Sequence, residues 1–112
     1  MLTHGGDSKN TIPIRDALEV LEGKWKLPIL FSLASGTKRF KEIKKEVAGI
    51  SDKTLSKDLR SLEDNQLLTR VVYSTFPPIV EYTITAHGMS LEKLLDELHI
   101  WGLTHRRQII GK

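Results

Sequence analysis

The stretch Gly49-Ile50-Ser51-Asp52-Lys53-Thr54-Leu55-Ser56-Lys57-Asp58-Leu59-Arg60-Ser61-Leu62-Glu63 opens on a break at Gly49 and a capping residue, Ser51. It then reads as a helix. At about 100° per residue, Leu55, Leu59 and Leu62 fall in one narrow stripe, while Lys53, Lys57 and Arg60 centre roughly 180° away. A short helix that buries three leucines and turns three cations and several hydroxyls outward has the character of a helix that reads a DNA major groove. Directly behind it, Leu67–Thr75 and Val80–Thr85 read as two strands around Phe76-Pro77-Pro78-Ile79. Neither proline can donate to a ladder, so both belong at the hairpin tip.

Upstream, Met1–Thr11 is polar and reads as a loose tail. Pro13 suits the first turn of a helix, whose apolar face is Ile14, Ala17, Leu18 and Leu21 up to Gly23. A second helix is expected from about Lys24 to Ala34, with Trp25, Ile29, Leu30 and Leu33 for the core and Gly36 as its stop. Pro28, about one turn inside, should remove a backbone hydrogen bond and bend the axis. Thr37–Arg39 has room for a very short strand. Phe40, Ile43 and Val47 give a third helix its apolar edge, and Lys41, Lys44 and Lys45 its outside. Ser51 caps the fourth by accepting a first-turn N–H.

The last element reads as one long helix from about Ala86 to Gln108. Leu91, Leu94, Leu98 and Trp101 repeat at three- and four-residue spacing, with His105 next, Leu95 widening the stripe, and Ile100 and Leu103 off it. A chain this short has little core with which to cover two sides of a terminal helix, so one side is expected to pack on a second subunit. The fold class is mainly α with a small β-hairpin wing (α+β): a winged helix-turn-helix, with a single domain over residues 12–108.

A length of 112 residues allows one domain, and 39% apolar residues suffice for a small core. The net charge of +3 is compatible with a polyanion partner, and its distribution says more. Residues 38–60 hold eight Lys/Arg against four acids, whereas 81–99 hold one Lys against four acids. There is no cysteine, which excludes disulfides, thiolate zinc sites and cysteine-based redox sensing. No apolar run approaches the roughly 20 residues of a membrane span, and no signal-peptide apolar region opens the chain. A cytoplasmic location is expected.

Four groups of residues carry a resemblance to a known family. They are Pro13-Ile14-Arg15-Asp16-Ala17-Leu18 with Gly23-Lys24-Trp25; Arg39-Phe40-Lys41-Glu42-Ile43; Gly49-Ile50-Ser51 with Leu59-Arg60-Ser61-Leu62-Glu63; and Phe76-Pro77-Pro78-Ile79-Val80-Glu81-Tyr82-Thr83-Ile84-Thr85-Ala86-His87-Gly88. Together, over about residues 12–105, they resemble the HxlR-type winged-helix transcription regulators of bacteria and archaea. The resemblance implies a homodimer joined through the first and last helices, with Ile14, Leu18, Leu91, Leu94, Leu98 and Trp101 at the interface. It also implies a roughly palindromic operator in double-stranded DNA, read by the helix around 51–64, with the 68–85 hairpin as wing. Two positions depart from the pattern. Many members carry a cysteine where Ile12 stands, so thiol sensing does not carry over. Many place Arg or Lys after the two wing prolines, where this chain has Ile79.

Ser51, Lys53, Thr54, Ser56 and Lys57 are the candidates for base-edge or adjacent phosphate contacts, against the alternative of an ordinary solvated helix face. Asp52 is open to pairing with a neighbouring lysine or accepting from a cytosine amino group. Arg60 is open to a phosphate or to Glu63 or Asp64. Arg39, Lys41, Lys44 and Lys45 suit sequence-blind phosphate attraction. Arg70 and Tyr73 are candidates for backbone contacts from the wing, with a core role open for Tyr73. Trp25 and Trp101 read as core or interface aromatics. His99 and His105 diverge on a helix, so no metal site is expected, nor any cofactor. No nucleophile–base pair points to an enzyme. A protein-interaction module is the rival reading, because Ile79 gives the wing an apolar tip. A small-molecule effector between the subunits stays open.

Overall fold

The computed structural model describes residues 8–111. The chain runs α1 (Ser8–Val20), α2 (Lys26–Leu33), α3 (Phe40–Glu46), α4 (Asp52–Asp64), β1 (Leu68–Tyr73), β2 (Ile79–Ile84), α5 (Ala86–Met89) and α6 (Glu92–Ile110). Of the tail expected over 1–11, residues 1–7 lie outside the described residues, and from Ser8 the chain is helical. Pro13 is therefore interior to α1. It is only the sixth helical residue, so it forfeits a single hydrogen bond near the start. Every side chain from Thr11 to Glu19 is exposed, and contact with the core begins at Val20 and Leu21. α1 is an arm rather than a core helix.

α2 is the central post: Ile29, Leu30 and Leu33 are wholly buried. It starts at Lys26, two residues later than the sequence suggests. Pro28 is then the third helical residue, where an N–H has no intrahelical acceptor, so the expected loss of a hydrogen bond does not arise. In α3, Glu42 reaches back to accept the Arg39 backbone N–H at 2.8 Å, and Ile43 enters the core. Gly49 makes the next turn at φ +95°. The Ser51 hydroxyl accepts the Thr54 N–H at 3.1 Å to start α4, and Leu55, Leu59 and Leu62 are buried as their spacing requires.

α4 hands over to the hairpin through Gln66, at φ +62°, with the Leu67 N–H donating to the Leu62 carbonyl. β1 and β2 are antiparallel, from Leu68 opposite Ile84 to Tyr73 opposite Ile79. Ile79 thus belongs to β2 and not to the tip. Lys38 adds one bridge at the edge, exchanging both backbone hydrogen bonds with Tyr82 at 3.0 and 2.8 Å. Its ammonium donates to the Ser32 carbonyl and the Ser35 hydroxyl, both at 2.6 Å, and lies 3.8 Å from Glu46. The end of α2, the sheet edge and α3 are thereby joined.

The last helix is not continuous. Thr85 caps α5 by accepting the Gly88 N–H at 2.9 Å and itself donates to the Gln66 carbonyl at 2.7 Å. The chain re-forms as α6 from Glu92. α5 packs closely on the hairpin base: a Cβ on Gly88 would overlap the Leu67 carbonyl oxygen and stand 2.5 Å from Ile84 Cγ1.

Candidate nucleic-acid interface

The four- and three-residue spacing that buries the α4 leucines turns Lys53, Ser56, Lys57 and Arg60 to solvent, with Thr54 half-buried. Ser51 and Thr54 are occupied by the cap, since the Ser51 hydroxyl also donates to Thr54 Oγ1 at 3.0 Å. Ser56, Lys53 and Lys57 are the groups in the first two turns free to point at an incoming ligand. Asp52 takes the first of its two options: its carboxylate is paired with Lys44, on α3. That contact neutralises the acid nearest the helix N-terminus and withdraws Lys44 from the set of available cations.

Among the described residues the ion pairs are Lys44–Asp52 and Lys38–Glu46. Arg39, Lys41, Lys45, Lys53, Lys57, Arg60 and Arg70 therefore carry side-chain charges with no carboxylate partner among them. Arg60 does not close a pair with Glu63 or Asp64. It shares a cleft between α4 and the sheet with Ser56, Glu63 and Arg70, floored by Leu59 and Tyr82. Helix and wing thus bring Arg60 and Arg70 to the lining of one cleft, which Glu63 shares.

The two wing candidates separate. Side chains alternate across a strand, so Arg70 shares the face of Leu68 and looks toward α4, whereas Tyr73 looks the other way. Tyr73 is exposed, which removes the core alternative. The Glu81 carboxylate, two positions along from the cross-strand partner of Tyr73, holds the phenol above its ordinary value of 10.0 by favouring the protonated hydroxyl and opposing a phenolate. Arg39 and Lys41 lie elsewhere again, across a cleft from Pro77 and Pro78 at the wing tip.

A second surface is apolar. Ile14, Ala17 and Leu18 of α1, with Leu21 just past its end, line an open groove with Leu94 and Leu98 of α6. Ile14, Leu18, Leu94, Leu98 and Trp101 are all exposed, Trp101 stacking on His105 at 4.8 Å between ring centres. Leu91 departs from this set: it is half-buried against the subunit's own core, as Trp25 is. Leu95 is the α6 side chain buried in the monomer.

Among the described residues no group of three or more His, Asp or Glu converges as metal ligands, and no helix is long and apolar enough to cross a membrane.

A family model described as HxlR-like helix-turn-helix matches residues 20–109. The HTH-type transcriptional regulator YtcD of Bacillus subtilis (strain 168) is 42% identical over 92% of this chain and 82% of its own length. Its crystal structure superposes with a TM-score of 0.78 at 43% identity, covering 82% of this chain and 94% of that one. The redox regulator HypR in its reduced form gives a TM-score of 0.82 at 33% identity, over 89% of this chain and 99% of that one.

Proposed function

We propose how operator DNA is read by this chain, which belongs to the HxlR-like helix-turn-helix family and is a DNA-binding transcriptional regulator. The helix α4 enters the major groove, with Lys53, Ser56 and Lys57 at base edges or the phosphates beside them. Ser51 and Thr54 hold the helix start, from which their hydroxyls border the groove. Arg60 and Arg70 meet the backbone where helix and wing adjoin, and Arg39 does so from the start of α3. Residues 12–108 act as one unit, duplicated in a homodimer through α1 and α6. The dimer places two reading helices on a roughly palindromic site, with half-sites about 34 Å apart or a multiple of it. The absence of cysteine means that thiol chemistry does not control it.

The observation that supports this reading is the unpaired state of the cations along α4 and the wing base, together with the neutralised Asp52. Asp58, Glu63 and Asp64 share the helix with Lys53, Lys57 and Arg60 without closing an ion pair, which leaves those cations available to phosphates.

The test is selection of bound duplexes from a random-sequence pool, followed by binding of the selected duplex across a salt series. An inverted repeat should emerge. Lys57→Ala should weaken binding and flatten the slope of log K against log salt by about 0.9 for each phosphate that is no longer neutralised, with melting temperature and oligomeric state unchanged. Unaltered binding at every salt concentration would show the assigned face to be wrong.

A further inference from the structure

Phe76 is fully exposed. A phenyl ring held entirely in water at the end of a hairpin has no part in the subunit's core. The loop carrying it is ordered from within: Thr75 Oγ1 donates to the Pro77 carbonyl at 2.8 Å, and two prolines follow directly. With Ile79 drawn into β2, the ring is the apolar feature of the tip. Across the adjoining cleft stand Arg39 and Lys41, both without a carboxylate partner among the described residues. Two acids also line that cleft: Glu42, which accepts the Arg39 backbone N–H, and Glu81, beside the Tyr73 phenol. An exposed aromatic ring, followed by two prolines that face unpaired cations across a cleft, is complementary to a groove walled by phosphates.

The reach also fits. A six-residue strand extends about 20 Å at roughly 3.3 Å per residue. The minor groove next to an occupied major groove is half a helical turn away, about 17 Å. Apolar side chains such as Phe, inserted at a base step from the minor groove, unstack it and kink the duplex.

We propose that Phe76 is a minor-groove wedge, which bends the operator at each wing and favours an easily unstacked pyrimidine–purine step there. This rests on the reading of α4 as the major-groove helix. Arg39 and Lys41 take the phosphates bordering the wedged step. Specificity at the wing then comes from deformability, at a position where no hydrogen bond reads a base.

The experiment uses the full chain and a duplex selected from a random pool, labelled at both ends for energy transfer and carrying 2-aminopurine at the step under the wing. Wild type should shorten the end-to-end distance, with a bend of roughly 20° or more, and brighten the 2-aminopurine. Phe76→Ala should abolish both signals and weaken binding by about tenfold, the low end of what burying a phenyl ring contributes. Its salt slope should be unchanged, because no charge is removed. Phe76→Leu should restore part of the bend. Wild-type binding without bend or brightening, or a Phe76→Ala variant that still bends the duplex, would overturn the wedge and leave the α4 reading standing. Loss of protein self-association in Phe76→Ala, with the bend intact, would overturn it in favour of a protein contact. Failure to select any duplex would overturn both readings.

Discussion

At Gly88 one missing methyl lets α5 sit against the hairpin base. The hairpin base and α5 approach until a Cβ at residue 88 would overlap the Leu67 carbonyl oxygen and the Ile84 side chain. One of the two clashing atoms is backbone, which cannot rotate away. Gly88→Ala therefore gains about 1 kcal/mol of helix propensity and loses more to overpacking. A net destabilisation of about 2 kcal/mol is expected, seen as a melting temperature lower by roughly 5–10 °C. An unchanged melting temperature would mean that the hairpin does not sit so tightly on α5. The hydrogen bonds of Thr85 to Gln66 and Gly88 belong to the same junction. Gln66 is a non-glycine residue in the left-handed region there, costing about 1 kcal/mol in its own right.

At the scale of elements, α4 is legible in the sequence because everything it needs is local. Its cap lies three residues before the N–H it accepts, and Leu55, Leu59 and Leu62 recur at the helical period. Tertiary packing decides the rest. The apolar spacing begins only at Leu91, so nothing in the period marks the end of α5 at Met89. Pro13 and Pro28 take other helical positions than their sequence suggests, because a helix start depends on what precedes it: Pro28 falls in the first turn of α2, where its missing N–H costs nothing, and Pro13 falls past the first turn of α1, where it forfeits one hydrogen bond. The basic face is legible as a charge count, but not which cations stay free, because Lys44 and Asp52 meet across a turn. That ion pair makes a prediction. Asp52→Ala removes a carboxylate from the groove-facing helix start and releases Lys44. A surface ion pair contributes little to stability, so the melting temperature should hardly move. Affinity for DNA of any sequence should rise, with a salt slope steeper by up to about 0.9 for the released lysine. Unchanged or weaker non-specific binding, read by retention on an unrelated duplex, would argue that Asp52 itself contacts a base.

At the scale of the whole molecule, the shape points to a second subunit. A compact chain of this length has a radius of gyration of about 13 Å; this one has 16.4 Å and extends over 55 × 38 × 23 Å. The excess arises because α1 lies outside the core and most of α6 exposes apolar side chains. Ile14, Leu18, Leu94, Leu98 and Trp101 are all exposed along α1 and α6, the kind of apolar surface that marks an interaction site. A two-fold copy bringing α1 and α6 against their equivalents would cover it with one self-complementary patch. Sedimentation equilibrium should return twice 12.7 kDa. Leu98 lies beside the α1 groove and outside the subunit's own core, so Leu98→Asp should leave the core leucines in place while setting two carboxylates against each other across the interface. The expected product is a folded monomer with the α-helical content of wild type. Dimerisation links the two half-site contacts into one binding event, so the monomer should lose at least about a hundredfold in affinity for the inverted repeat and much less for a single half-site. Half-site affinity that falls just as far would mean that Leu98 supports the reading helix directly. A dimer that persists would move the interface elsewhere on α6, to the side marked by Ile100 and Leu103.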